Sequence, residues 1–203
     1  IFNLAIASLY ETYLNNYYHI IKNNIPIYSG QQTTDNGQQT LSMKFWDKAT
    51  FDRVINKYYE NALSDVKSLQ DNSAESYKDI LAINDETAEF DFNIEPTLYD
   101  YVLHKIIDNK INHGNSVETS SYGVSELYLN LIDFDKRNNY TDAAIYNEIQ
   151  KLKYEYKNTD DFETYFNSLE KIKNENINNP LVTSVMSLQA EAILGQQTTA
   201  NSQ

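Results

Sequence analysis

The chain contains no cysteine, three prolines, five glycines and two arginines among its 203 residues. Without cysteine there is no disulfide framework, no thiolate metal site and no cysteine nucleophile. The compartment stays open, because oxidising and reducing spaces both hold cysteine-free proteins. Arg53 and Arg137 are the two arginines, and 29 acidic residues outnumber 16 basic ones to give a formal net charge of −13. Nucleic-acid surfaces draw affinity from clustered cations, so nucleic acid is not an expected partner. No run approaches the roughly 20 apolar residues that span a bilayer, and no direct membrane insertion is expected of this segment. GxSxG, Walker-type, GxGxxG and HExxH patterns are missing, so no cofactor or metal is expected.

What the chain does have is helical periodicity. Phe2, Ile6, Leu9, Tyr13, Tyr17 and Ile20 recur at steps of three and four, the spacing of one helix face, and this stripe is expected to face the core. The pattern is already under way at Ile1, and the chain is accordingly expected to be a piece of a longer polypeptide. Pro26 to Lys44 reads as a long structureless loop, expected to be mobile, with Gly30 and Gly37 each opening a GQQT. From Trp46 onward Phe51, Val54, Ile55, Tyr58, Ala62, Val66 and Leu69 share a stripe, and Ser73 opens a shorter helix ending near Ile83. An acidic connector runs from Asp85 to Glu95.

Thr97 and Asp100 form a near-capping box for a helix carrying Leu98, Tyr101, Val102, Ile106 and Ile111 and ending around Gly114. Val124, Leu127, Tyr128, Leu131 and Ile132 mark the next helix. Thr141 is expected to cap one with Ala144, Ile145, Ile149, Leu152 and Tyr156, and Asp160 or Asp161 one with Phe162, Phe166, Leu169 and Ile172. Asn179-Pro180 starts a last helix over Leu181–Leu194, followed by a polar tail that opens with a third GQQT at Gly195. No strand alternation appears. The expectation is an all-α fold: one domain over 1–203, about eight helices in stacked antiparallel hairpins, an irregular tetratricopeptide-like array.

Candidate chemistry is sparse. Asp100 and His104 are four apart and face the same way on a helix, which suits a surface contact better than an acid–base pair or half a metal site. Asp133, Asp135, Asp160 and Asp161 are carboxylates without a legible mutual geometry. The excess lies in aromatics, with seventeen Tyr, eight Phe and one Trp. Tyrosine buries a ring while its hydroxyl reaches water, which serves helix seams and recognition surfaces alike. Trp46, Tyr18, Tyr59 and Tyr99 are the candidate interaction surface, although Trp46 also reads as an anchor for the helix that follows it.

The segment LYETYLNNYYHIIKNN resembles the Tyr/Trp-rich N-terminal helix of the large alpha-2-macroglobulin-like proteins of Bacteroidetes. Trp46-Asp47-Lys48-Ala49-Thr50-Phe51 is similar to the helix start that follows a variable loop in that family. Pro96-Thr97-Leu98-Tyr99-Asp100, with Leu103 beyond, is similar to its PTLYD segment, and Ile145 through Leu169 to its helical region before the β-domains. Ile106-Ile107 departs from the small residue often found there. The resemblance implies a non-catalytic helical scaffold or interaction domain at the N-terminus of a protein that traps or inhibits proteases, in the periplasm or at the outer membrane. Its implied partners are the remaining domains of the same polypeptide, another envelope protein or a protease. The family's thioester and bait region cannot lie here, since the thioester needs a cysteine. The rival reading is a helical glycan-binding module of the outer membrane with aromatic platforms, motivated by the Tyr excess and Trp46.

Overall fold

The computed structural model describes residues 1–24, 43–81, 91–113 and 123–200. The expected loop 26–44 lies outside them except at its last two residues, as does nearly all of the acidic connector before Asp91. The described residues are all-α: α1 (Phe2–Ile21), α2 (Lys48–Ala62), α3 (Val66–Asp71), α4 (Lys78–Leu81), α5 (Leu98–His113), α6 (Val124–Asn138), α7 (Thr141–Thr159), α8 (Phe162–Glu175) and α9 (Val182–Ala200). Short 3₁₀ turns precede α2, at Met43–Phe45, and α4, at Ala74–Tyr77. The chain packs as two compact units. The first is Ile1–Asp71 with His104–Ser121, and the second is Asn72–Leu103 with Tyr122–Gln203.

In the first unit α1 packs along α2. The inward face of α1 is Leu4, Ala7, Leu14 and Ile21, all buried, with Glu11 on the same stripe. This corrects the sequence expectation. Phe2, Leu9, Tyr17 and Ile20 of the expected core stripe are 78%, 70%, 46% and 51% exposed. Both stripes carry the helical period, and α1 is apolar on two faces. Asp47 caps α2 by accepting from the Thr50 amide at 2.9 Å, a contact that satisfies one of the free N–H groups at a helix start. Phe51, Ile55, Tyr59 and Ala62 are the buried stripe of α2. The expected continuous stripe breaks at Leu63, and Leu69 lies on the separate α3.

In the second unit the reciprocal cap at Thr97 and Asp100 is present. The Thr97 amide donates to Asp100 Oδ2 at 3.0 Å, and the amides of Tyr99 and Asp100 donate to Thr97 Oγ1 at 3.2 and 3.4 Å. A lone antiparallel bridge, Ser73 to Thr97, pins the approach to this cap. The stretch expected as one helix from Ser73 is instead a 3₁₀ turn followed by the single turn of α4.

Helices α6 to α9 pack each on the next in chain order. Val124, Leu127, Tyr128, Leu131 and Ile132 of α6 are buried as expected. Two-residue joints connect α6 to α7 and α7 to α8, and each contains one residue in the left-handed region: Asn139 at φ 60° and Asp160 at φ 54°. The Tyr140 amide donates back to the Asp135 carbonyl at 2.9 Å and the Asp160 amide to Tyr156 at 2.8 Å, the bonds that close left-handed helix ends. Thr141 is the first residue of α7, with Tyr140 at the cap and no side-chain bond there, contrary to the expected Thr cap. Asp161 caps α8 by accepting from the Thr164 amide at 3.1 Å. Ile145, Ile149, Tyr165, Leu169, Ile172, Val185 and Ala192 form one core cluster across α7, α8 and α9. Pro180 lies in the turn before α9 rather than at its first position, and α9 continues through the residues expected as a polar tail to Ala200. Glutamine, threonine and alanine are compatible with a helix, and composition alone does not end one.

Candidate functional site

The first unit gathers its aromatics where α1 meets the start of α2. Tyr10 stacks on Trp46 with centroids 5.7 Å apart and on Tyr58 at 5.8 Å. Phe51 meets Trp46 edge-on at 5.1 Å and stacks on Tyr13 at 5.7 Å. Asn24 Nδ2 donates to the Trp46 carbonyl at 2.7 Å, fixing the backbone beside the ring. Trp46 is half-buried in this cluster, the anchoring role that competed with a ligand platform.

Of the four aromatics read as an interaction surface, the structure keeps one well at the surface. Tyr18 is 47% exposed. Tyr59 is buried, and its hydroxyl donates to Glu11 Oε1 at 2.7 Å. Tyr99, in the second unit, is buried with its ring edge-on to Phe134 at 5.1 Å. Tyr59 can follow its apolar neighbours into the core because a phenol costs little to bury once its hydroxyl has an acceptor, here Glu11.

The Asp100 and His104 pair does not read as chemistry. Asp100 is fully buried, and its Oδ2 accepts both the Thr97 amide and the Thr97 hydroxyl at 2.5 Å. A carboxylate engaged at a helix cap is a structural group. Asp135 is likewise fully buried and accepts from Asn147 Nδ2 at 2.9 Å, joining α6 to α7. Burial pushes the Tyr101 phenol up, with the Glu95 carboxylate adding to the effect. Burial lowers the Lys110 ammonium, with Glu60 pulling the other way. Among the described residues no group of three or more His, Asp and Glu could hold a metal ion. None of the described helices is long and apolar enough to cross a membrane.

A concave feature that the sequence reading missed lies in the second unit, along α7 and α9. It is a groove of about 400 Å³. It is lined by Tyr156 and Tyr165, stacked face to face on each other at 4.3 Å and 5°, and by Leu188 and Ala192. Lys153 and Lys157, four apart on α7, and Glu191 of α9 also line it. Burial raises the Tyr165 phenol, and Glu191 and Tyr156 reinforce the shift. Gly195 lines it as well, and a side chain added there would meet no other atom within 4 Å. The signal was present as Lys153, Tyr156 and Lys157 at steps of three and four, but the partners come from two other helices, and helical periodicity does not reach across helices.

A smaller recess of about 200 Å³ lies by the α6–α7 joint, where Lys136 pairs with Glu148. No family model, characterised protein or solved structure matches the chain.

Proposed function

We propose that the chain is a non-catalytic helical scaffold and interaction domain that meets its partner through the outer face of α1. The observation that carries this reading is the stripe of Phe2, Leu9, Tyr17 and Ile20, exposed along most of a 20-residue helix. At 1.5 Å per residue that helix is roughly 30 Å long. Single exposed apolar side chains are ordinary, but a continuous row of them marks a contact surface. The stripe carries no acidic or basic side chain in a protein of net charge −13, so the complementary partner surface is apolar and uncharged.

The proposed occupant is an apolar face from the remainder of a longer polypeptide. That choice rests on the resemblance to the macroglobulin-like proteins of Bacteroidetes, as do the protease-trapping role of the whole protein and its place in the periplasm or at the outer membrane. The glycan-binding alternative keeps Tyr17 and Tyr18 as exposed rings, while Trp46, Tyr59 and Tyr99 are held in interior packing.

The experiment is an immunoblot of the source organism's envelope and soluble fractions with antibody against this region. The expected band is many times larger than 23.5 kDa and lies in the envelope fraction. A band near 23.5 kDa overturns the choice of occupant. The surface itself is tested in the native protein by Leu9→Glu with Ile20→Glu, reading amide exchange of α1. The expected result is faster exchange along α1 with the α2 amides unchanged; identical exchange in parent and variant shows that nothing covers the stripe.

A further inference from the structure

The groove along α7 and α9 has the character of a small-ligand site. Such sites are concave, run from about 300 to 1,000 Å³, and combine an apolar lining with a few placed polar groups. At about 400 Å³ this groove is lined by the stacked Tyr156–Tyr165 pair and by Leu188 and Ala192, with charge from Lys153, Lys157 and Glu191. The charge is not balanced. Lys48, Lys136, Lys151, Lys171 and Lys173 each sit in an ion pair. Lys153 and Lys157 have no ion-pair partner among the described residues. Two unpaired cations one helical turn apart, in a chain of net charge −13, are a local reversal of sign beside an aromatic surface. Glu191 brings the charge of the lining to net +1, two lysines against one carboxylate, and its field falls on the Tyr165 phenol.

We propose that this groove binds a small amphipathic anion, an aromatic carboxylate whose flat body packs against the stacked Tyr156–Tyr165 pair and Leu188 while its carboxylate is held by Lys153 and Lys157. The apolar body supplies affinity through burial against the rings, and the lysines supply orientation and sign selection. Gly195 also lines the groove, and a side chain added there would meet no other atom within 4 Å, so the absence of a side chain keeps this part of the lining open. Glu191 opposes the anion. A zwitterion or cation would use it instead, which makes the sign of its effect diagnostic.

The experiment titrates the full chain with indole-3-acetate, its neutral alcohol analogue tryptophol and its amine analogue tryptamine, following the Leu188 and Ala192 methyl resonances. For a ligand of about a dozen heavy atoms the expected Kd for indole-3-acetate is about 1 mM, with weaker binding of tryptophol and weakest of tryptamine. Lys153→Ala with Lys157→Ala weakens binding by about fivefold to tenfold, the range for two exposed charge contacts. Glu191→Gln strengthens it. Gly195→Leu, which fills open space on a helix and keeps both lysines, abolishes it while leaving the helical circular dichroism unchanged. The proposal is overturned by no saturation with indole-3-acetate, by tryptamine binding as well as the acid, by weakening in Glu191→Gln, or by full binding in Gly195→Leu.

Discussion

The hydroxyl of Tyr59 donates a 2.7 Å hydrogen bond to Oε1 of Glu11, midway along the inward face of α1. Asn109 Nδ2 donates to the same oxygen. A carboxylate on a stripe otherwise built from Leu4, Ala7, Leu14 and Ile21 is tolerable only because these donors replace water. Tyr59→Phe removes one of them and keeps the ring. The expected cost is about 1–2 kcal/mol for a part-buried charged acceptor, measured by urea unfolding. A cost under about 0.3 kcal/mol would mean that water already solvates Glu11.

Leu9 and Leu14 give a sharper test of helix phase, because the residue type and the helix are the same. Leu14 is 1% exposed and Leu9 70%. Leu14→Ala is expected to cost about 2–5 kcal/mol through lost burial and the cavity left behind. Leu9→Ala should change stability by no more than about 0.5 kcal/mol. Equal costs in denaturant unfolding would restore the outer stripe to the core.

Gly195 reports on the end of α9. A methyl added there meets nothing within 4 Å, and the position lies inside the helix. Gly195→Ala is therefore expected to stabilise by about 0.5–1 kcal/mol, since alanine has less chain entropy to lose. No change in the thermal midpoint would place the residue in a tail outside the cooperative unit.

Acid sensitivity follows from two carboxylates. Hydrogen bonds from the Thr164 side chain and backbone hold Asp161 below its ordinary range. Glu170 is held down by hydrogen bonds from Lys173 and then Gln189, the latter at 2.7 Å from α9. A carboxyl whose folded pKa is depressed contributes in full above the unfolded value, near pH 4 for these groups, and loses that contribution as pH falls through the folded value. Stability should be level from neutral pH to about pH 5 with respect to these groups and decline below about pH 4. Asp161→Asn with Glu170→Gln should shallow that decline while lowering stability at pH 7, with unfolding followed at a series of pH values. A slope below pH 4 identical to the parent's would exclude these two groups as its source.

How far the sequence could be read depended on how one-sided each helix is. In α6 the apolar residues other than Leu129 fall on one face and Asp133, Lys136 and Arg137 lie elsewhere, so periodicity alone found Val124, Leu127, Tyr128, Leu131 and Ile132. In α1 two apolar stripes compete, and nothing local reveals which one α2 covers. The charge at Glu11 argues for the wrong face unless Tyr59 and Asn109 are known to meet it, and they lie 48 and 98 residues away. The capping pairs at Thr97 and Asp161 were legible because their partners sit three residues on. The groove of Lys153, Tyr165 and Glu191 was not, because it depends on how three helices align.

The two-residue joints of α6, α7 and α8 also shape how this half of the protein is made. Each helix packs on the one before it, so its partner is already complete when it leaves the ribosome. Contacts between close neighbours in the chain close small loops and form quickly, which keeps apolar surface covered during synthesis. Each two-residue joint, with Asn139 or Asp160 in the left-handed region, leaves little slack through which α7 could reach a different neighbour. From α6 onward, assembly can therefore proceed in the order of translation, with the final turn of α9 added last.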